Sequence, residues 1–90
     1  MIEILVNSKH KKSLLELEKI ENILNREKIE YKVLKTSKTK NAQKLMAEVS
    51  SRQIIVIGGD GTINEVVNNY HGEDIIYLAQ GSGNDLARSL

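Results

Sequence analysis

Four short apolar runs along the chain have the length and composition of buried β-strands. They cover residues 2–6, 31–34, 54–57 and 75–78. The third run, IIVI, consists of four consecutive β-branched residues, which is typical of a parallel strand covered on both faces. The pattern therefore predicts four strands.

The segments that follow these runs carry apolar residues at the 3.6-residue period of an amphipathic α-helix. Three helices and the start of a fourth, at residues 84–90, are predicted. Ser13 would cap the first helix with Glu16 at its third position, and Thr62 with Glu65 would do the same for the third helix. The apolar stripes are Leu14, Leu17, Ile20 and Leu24; Ala42, Leu45, Met46 and Val49; and Ile63, Val66, Val67 and Tyr70.

The alternation of strand and helix indicates an α/β fold. We expect a three-layer, Rossmann-like domain with a mainly parallel sheet and right-handed crossovers. The length of 90 residues fits one small domain. Because ARSL offers no C-terminal helix signal, we expect residues 1–90 to be the incomplete N-terminal domain of a longer protein.

Composition excludes several classes of protein. The chain has no cysteine, so disulfide frameworks and thiolate metal sites are excluded. No apolar run is long enough to span a membrane and no signal-peptide pattern is present, so we expect a cytoplasmic protein. Residues 1–45 hold eleven Lys or Arg against six acids, a balance that suits a phosphate ligand or an anionic membrane surface, although solvated helix faces account for most of these dispersed lysines. We expect no nucleic-acid partner.

Five of the six glycines lie in two predicted strand-to-helix turns. They are Gly58, Gly59 and Gly61 after the third strand, and Gly81 and Gly83 after the fourth. Glycine permits positive φ and close approach to the backbone, and a helix N-terminus presents free N–H groups to an anion. Both turns would lie at one edge of the sheet, which favours a phosphate site over a bare turn closed by the Thr62 cap.

Asp60 stands inside the first glycine turn, where a lone carboxylate would repel a phosphate. It fits if it orients amides, takes a proton, or holds a divalent cation directly or through water. A nucleotide with Mg²⁺ satisfies all these groups. The P-loop motif is absent, and GSGNDL has Leu86 where the dinucleotide motif needs glycine. Walker-type hydrolysis and ordinary Rossmann binding are therefore disfavoured.

GGDGTINEVVN at residues 58–68, followed by GSGNDLARSL at residues 81–90, resembles the catalytic domain of diacylglycerol kinases and of the related sphingosine, ceramide and bacterial soluble lipid kinases. The resemblance covers essentially the whole chain but only the first part of a family member. It implies ATP- and Mg²⁺-dependent phosphorylation of a lipid hydroxyl, with ATP between an α/β domain and a β-sandwich domain. The family's acidic catalytic base would lie in that second domain, so no catalytic residue is expected here.

The resemblance also implies which residues of this chain bind ATP and the metal. Asp60 and Asp85 match acidic positions around the metal, where we expect contact through water. Asn7 begins the first loop, which continues as Ser8, Lys9 and His10 without the family's proline and glycine. The expected ATP-binding residues are Asn7, Thr36, Gly58, Gly59, Asp60, Gly61, Thr62, Asn64, Gly81, Ser82 and Gly83.

Two other functions stay open at this point. The chain could be a non-catalytic nucleotide-binding or assembly module, because its first loop departs from the family pattern. It could also be related to NAD kinases, which carry a similar GGDGT loop, although the NEVVN extension favours lipid kinases. We further expect self-association as a homo-oligomer. We also expect peripheral membrane contact by the longer protein, because its lipid acceptor lies in a bilayer.

Overall fold

Strands and helices alternate along the chain in the predicted order. The structure is a computed structural model that describes residues 1–79 and 88–89, with side chains through residue 78. Its elements are β1 (Ile2–Val6), α1 (Lys11–Arg26), β2 (Tyr31–Lys35), α2 (Ala42–Met46), β3 (Gln53–Gly58), α3 (Asp60–Asn68), β4 (Asp74–Ala79) and β5 (Arg88–Ser89).

The strands form one sheet in the order β2-β1-β3-β4-β5, in which β1 to β4 are parallel. This arrangement confirms the predicted α/β fold with a mainly parallel sheet. From β1 the chain moves to one neighbour, β2, and then crosses back to the other neighbour, β3. The carboxyl ends of β1 and β3 therefore flank the topological switch point, where ligands of open α/β sheets bind.

Helices cover both faces of the sheet and give the predicted three layers. On one face, Leu17 and Leu24 of α1 pack against alternate residues of β1 and β3. On the other face, α2 and α3 pack over Leu5 and Val56. Burial on both faces explains why β3 is continuously apolar instead of alternating with polar residues.

The predicted helix starts are wrong by almost one turn, because each N-cap lies three residues before the predicted one. α1 begins at Lys11 with His10 as N-cap, so Ser13 is a buried helical residue and not the cap. α3 begins at Asp60 with Gly59 as N-cap, so the Thr62–Glu65 capping box does not form. Neither cap uses a side-chain hydrogen bond. At α3 the Thr62 hydroxyl accepts from Asn7 of the sheet edge and does not cap the helix.

The end of α2 and the predicted fourth helix also differ from expectation. α2 ends at Met46, and three further amides, through Val49, bond the carbonyl three residues earlier, which continues the helix as a tighter turn. Arg88 and Ser89 form β5, which is antiparallel to β4, instead of lying in a helix. Pairing with the open side of β4 satisfies strand-edge groups that a helix would leave exposed. The rest of that predicted helix lies outside the described residues.

Within residues 1–79 and 88–89, no helix has both the length and the apolar character needed to cross a membrane. Several large apolar side chains remain exposed, including Leu15 and Ile23 on α1 and Val67 on α3. Self-association would use such surfaces, and it stays a prediction.

Candidate functional site

The candidate site lies at the carboxyl edge of the sheet, at the switch point between β1 and β3. Asn7 directly follows β1, Thr36 directly follows β2, and Gly58 ends β3 before α3 begins. Backbone hydrogen bonds also hold Asn7 and Thr36 in position. The Asn7 amide donates to the Ile57 carbonyl (2.9 Å), and the Thr36 amide donates to the Val6 carbonyl (3.0 Å). Residues far apart in sequence thus meet because parallel strands end together.

Three polar side chains of this edge form a connected set. Asn7 Nδ2 donates to Thr62 Oγ1 on α3 at 3.2 Å. Thr36 Oγ1 donates to Asn7 Oδ1 at 3.4 Å. Thr36 and Thr62 are buried, and Asn7 is half-buried between them. The set fixes the first turn of α3 relative to β1 and β2.

The loop after β1 is held by side chains. The Lys9 amide donates to Asn7 Oδ1 at 3.0 Å, which forms a local turn of the kind that asparagine favours. The Ser8 amide donates to Thr36 Oγ1 at 3.1 Å, and the Ser8 hydroxyl donates to the Thr36 carbonyl. These bonds shape the loop without proline or glycine.

A small cleft of about 60 Å³ opens beside this set. It is far smaller than a typical pocket for a whole cofactor, which occupies about 300–1,000 Å³. This cleft by itself can therefore hold only part of a nucleotide-sized ligand. The cleft is lined by Asn7, Lys9, Thr36, Ser37, Asn41, Ala42, Thr62 and Glu65.

The structure gives a reason for glycine at only one of the three positions in the first turn. None of them has a positive φ, which among the described glycines is found only at Gly72. A Cβ on Gly58 would lie 2.8 Å from both Cβ and Oγ1 of Thr62, so the close approach of α3 requires glycine there. A Cβ on Gly59 or Gly61 would meet nothing within 4 Å. Contacts of the fold therefore explain Gly58 but not Gly59 or Gly61.

The N-terminus of α3 presents polar groups beside the cleft. Gly59 caps the helix without a side chain, and the first N–H groups of a helix have no intrahelical acceptor. Asp60 is exposed at the first helical position, where its negative charge interacts favourably with the helix dipole. Asn64 is exposed one turn later and does not line the cleft.

Comparison with known proteins identifies the family. A family model described as "Diacylglycerol kinase catalytic domain" matches residues 2–90. The chain belongs to the diacylglycerol kinase catalytic domain family. It is 33% identical to the protein named "Putative lipid kinase YtlR" of Bacillus subtilis (strain 168) over an alignment that covers 88% of this chain. The chain spans 28% of the length of that relative.

The structure brings together only some of the residues that the resemblance to this lipid-kinase family assigns to ATP. Asn7, Thr36 and Thr62 are hydrogen-bonded, and Gly58, Gly59, Asp60 and Gly61 adjoin them at the start of α3. Neither Asn64 nor these four residues of the turn are among those that line the cleft. Gly81, Ser82, Gly83 and Asp85 lie outside the described residues.

Four side chains at this edge of the diacylglycerol kinase domain were not predicted from the sequence as site residues. Asn41, the N-cap of α2, and Ser37 line the cleft from the β2–α2 connection. Glu65 also lines it, although its sequence role was taken to be helix capping. Tyr77 on β4 donates its hydroxyl to the Gly58 carbonyl at 3.0 Å. Helical spacing places Glu65 one turn after Thr62 and could have found it, whereas no local signal indicates Tyr77.

We expect Thr36→Val to lower the free energy of unfolding by about 1–2 kcal/mol in this kinase domain. The isosteric change removes the acceptor of the Ser8 amide and the donor to Asn7 at a buried position. Urea unfolding followed by circular dichroism measures the loss. Thr39→Val is the matched control at an exposed position of the same connection, and an equal loss in both variants would contradict the role given to Thr36.

Proposed function

We propose that residues 1–90 are the N-terminal ATP-binding part of a lipid kinase that transfers the γ-phosphate of ATP to a hydroxyl of diacylglycerol or a similar lipid. The observation that carries the proposal is the meeting of the Asn7–Thr36–Thr62 set with the glycine-lined start of α3 at the switch point. An anion bound there would receive hydrogen bonds from the free amides of α3 and favourable interaction with its dipole.

In the proposed binding mode, the glycines, Lys9 and Glu65 at this edge of the sheet contact different parts of the nucleotide. Gly59 and Gly61, which the fold leaves uncovered, let the phosphates approach the backbone. Lys9, which lines the cleft, adds positive charge. Glu65 is suited to accept a hydrogen bond from a sugar hydroxyl, as acidic side chains do in other nucleotide sites.

The carboxylates present fit a magnesium ion that is carried mainly by the nucleotide. Among the described residues, no group of three or more His, Asp or Glu could by itself hold a metal. Mg²⁺ in kinase sites is commonly held by one or two carboxylates together with substrate phosphates and water. Asp60 is placed for such a contact, directly or through water, and Asp85 is the second proposed carboxylate. The ion would neutralise charge on the transferred phosphate.

The lipid acceptor, the catalytic base and peripheral contact with the membrane belong to the same proposal. They are assigned to the longer protein, since the chain spans 28% of its relative. The decisive activity test incubates a longer protein that contains residues 1–90 with labelled ATP and diacylglycerol in mixed micelles. Labelled phosphatidate supports the proposal, whereas labelling of NAD without labelling of any lipid contradicts it.

The 90-residue chain should bind Mg-ATP saturably in the millimolar range, and we expect Asp60→Asn to weaken that binding about tenfold, or about 1.4 kcal/mol. The reason is the loss of a charge that faces the cation at the start of α3. Isothermal titration measures the affinity. Asp74→Asn is the matched control, because Asp74 is also exposed but begins β4 at the opposite edge of the sheet. Equal weakening by both changes, or no saturable binding by the wild-type chain, would count against the proposal.

A further inference from the structure

Tyr77 connects β4 to the first glycine turn through its hydroxyl. The ring packs beside the apolar cluster under α2 and α3, and the hydroxyl donates to the Gly58 carbonyl at 3.0 Å. Gly58 is already constrained from the other side, since Thr62 leaves no space for a side chain. The peptide group that follows β3 is thus contacted from β4 and from α3.

The direction of the Gly58 carbonyl determines where the next amide points. The Ile57 carbonyl faces β1, because it accepts the Asn7 amide at 2.9 Å. Successive carbonyls of a strand face opposite neighbours, so the Gly58 carbonyl faces β4, where Tyr77 binds it. None of the described peptide bonds is cis. In a planar trans peptide the N–H is antiparallel to the C=O, so the Gly59 N–H points towards the β1 side and the switch point.

We propose that Tyr77 is a positioning residue, whose hydroxyl holds the Gly58–Gly59 peptide so that the Gly59 N–H faces a nucleotide phosphate. This inference rests on the proposed function for the identity of the ligand, and on the bond between Tyr77 and Gly58 for the geometry. A peptide between two glycines can rotate more freely than any other, since neither side has a Cβ. A hydrogen bond to its carbonyl opposes that rotation and keeps the amide preorganised for the anion.

Further side-chain contacts at the same edge of the sheet connect Gly58 to the ends of the other strands. Thr62 contacts Gly58 and accepts from Asn7, which in turn accepts from Thr36. Side-chain contacts therefore link the carboxyl ends of all four parallel strands, from Tyr77 near the end of β4 to Thr36 after β2. Removing the Tyr77 hydroxyl takes away this hydrogen bond to the Gly58 carbonyl, while the contacts with Thr62, Asn7 and Thr36 remain.

The experiment compares Tyr77→Phe with Tyr31→Phe in the 90-residue chain. Each change removes one hydroxyl from a half-buried tyrosine, and the Tyr31 hydroxyl donates to Glu21 at the same 3.0 Å but lies near α1 and away from the site. We expect Tyr77→Phe to weaken Mg-ATP binding about three- to tenfold and Tyr31→Phe to leave it unchanged. Thermal unfolding of both variants, compared with the wild type, separates this effect from a loss of stability.

A nuclear magnetic resonance measurement tests the geometry without nucleotide. In ¹H–¹⁵N spectra the Gly59 amide resonance should move in Tyr77→Phe and stay in place in Tyr31→Phe. If it moves equally little in both variants, the positioning role is overturned. If it moves but Mg-ATP affinity is unchanged, the role is also overturned. If the wild-type chain binds no Mg-ATP while the Gly59 resonance still moves only in Tyr77→Phe, the proposed function fails and the positioning of the peptide stands.

Discussion

Replacing Gly58 with alanine is expected to lower the free energy of unfolding by about 2–3 kcal/mol, within the range for overpacking of a close-packed site. The new Cβ would lie 2.8 Å from Cβ and Oγ1 of Thr62 and 3.0 Å from its Cγ2. Thr62 cannot easily yield, because it is buried on α3 and its hydroxyl is held by Asn7. The first turn of α3 must therefore move away from β3.

Gly59→Ala and Gly61→Ala are the matched controls for this change. Both positions have open space for a Cβ, and neither has a positive φ. We expect their unfolding free energies to stay within about 0.5 kcal/mol of the wild type or to rise slightly. If the proposed function is right, their Mg-ATP affinity should fall, because the added methyl groups would stand where the phosphates are proposed to approach. Urea unfolding measures the first effect and titration the second. Equal stability of all three variants would show that the contact with Thr62 is not the reason for glycine at position 58.

Glu3→Ala is expected to be the most destabilising of the substitutions considered, by about 3 kcal/mol or more. Glu3 is fully buried in β1, and its Oε1 accepts the amides of Ser50 and Ser51, each at 2.8 Å, and the Ser50 hydroxyl at 3.2 Å. Alanine would remove the acceptor that these three donors share; Ser51 is half-buried and Ser50 is exposed. The segment that joins α2 to β3 would lose its connection to β1.

The pH dependence of stability provides a second measurement at Glu3. Burial by itself would raise the pKa of Glu3, but the hydrogen bonds from Ser50 and Ser51 outweigh it, so the pKa is lower than that of an ordinary glutamate. A carboxyl group whose pKa is lowered by folding stabilises the protein above its unfolded-state pKa. This contribution should disappear as the pH falls through the ordinary glutamate range and then through the lowered folded-state value.

Glu3→Gln is the control for charge, since its amide oxygen can still accept from Ser50 and Ser51. Its Nε2 would replace Oε2, which is buried and has no hydrogen-bond partner among the described residues. We expect Glu3→Gln to be milder than Glu3→Ala at neutral pH and to approach the wild type in stability as the pH falls through that range. Chemical unfolding of the three proteins from pH 3 to pH 7 measures this. A constant difference between wild type and Glu3→Gln over that interval would contradict the assignment.

The predicted fold and the predicted site depended on different kinds of information. Strands such as Ile54–Ile57 could be found locally, because four β-branched residues strongly favour a buried strand wherever the chain places it. The residues Asn7 and Thr36 were identified only through resemblance to a family, since a single polar residue after a strand carries no distinctive local signal. Their roles in binding ATP stay predictions.

Helix starts could not be predicted from capping residues alone. Ser13 and Thr62 have the side chains of good N-caps, yet both lie inside helices, where they are buried. At Thr62 the hydroxyl is used by Asn7, a residue 55 positions earlier in the chain. A long-range contact of this kind outweighs a local cap, whose contribution is about 1 kcal/mol.

The sequence by itself determined that this protein alternates strands and helices, that β3 is covered on both faces, and that glycines follow β3 directly. These features follow from side-chain periodicity and from the absence of a Cβ, which act over a few residues. Only the tertiary structure decided that Gly58 is required by Thr62 while Gly59 and Gly61 remain open, and that Tyr77 holds the Gly58 carbonyl. Those contacts depend on the order and register of the parallel strands, which bring together residues that are distant along the chain.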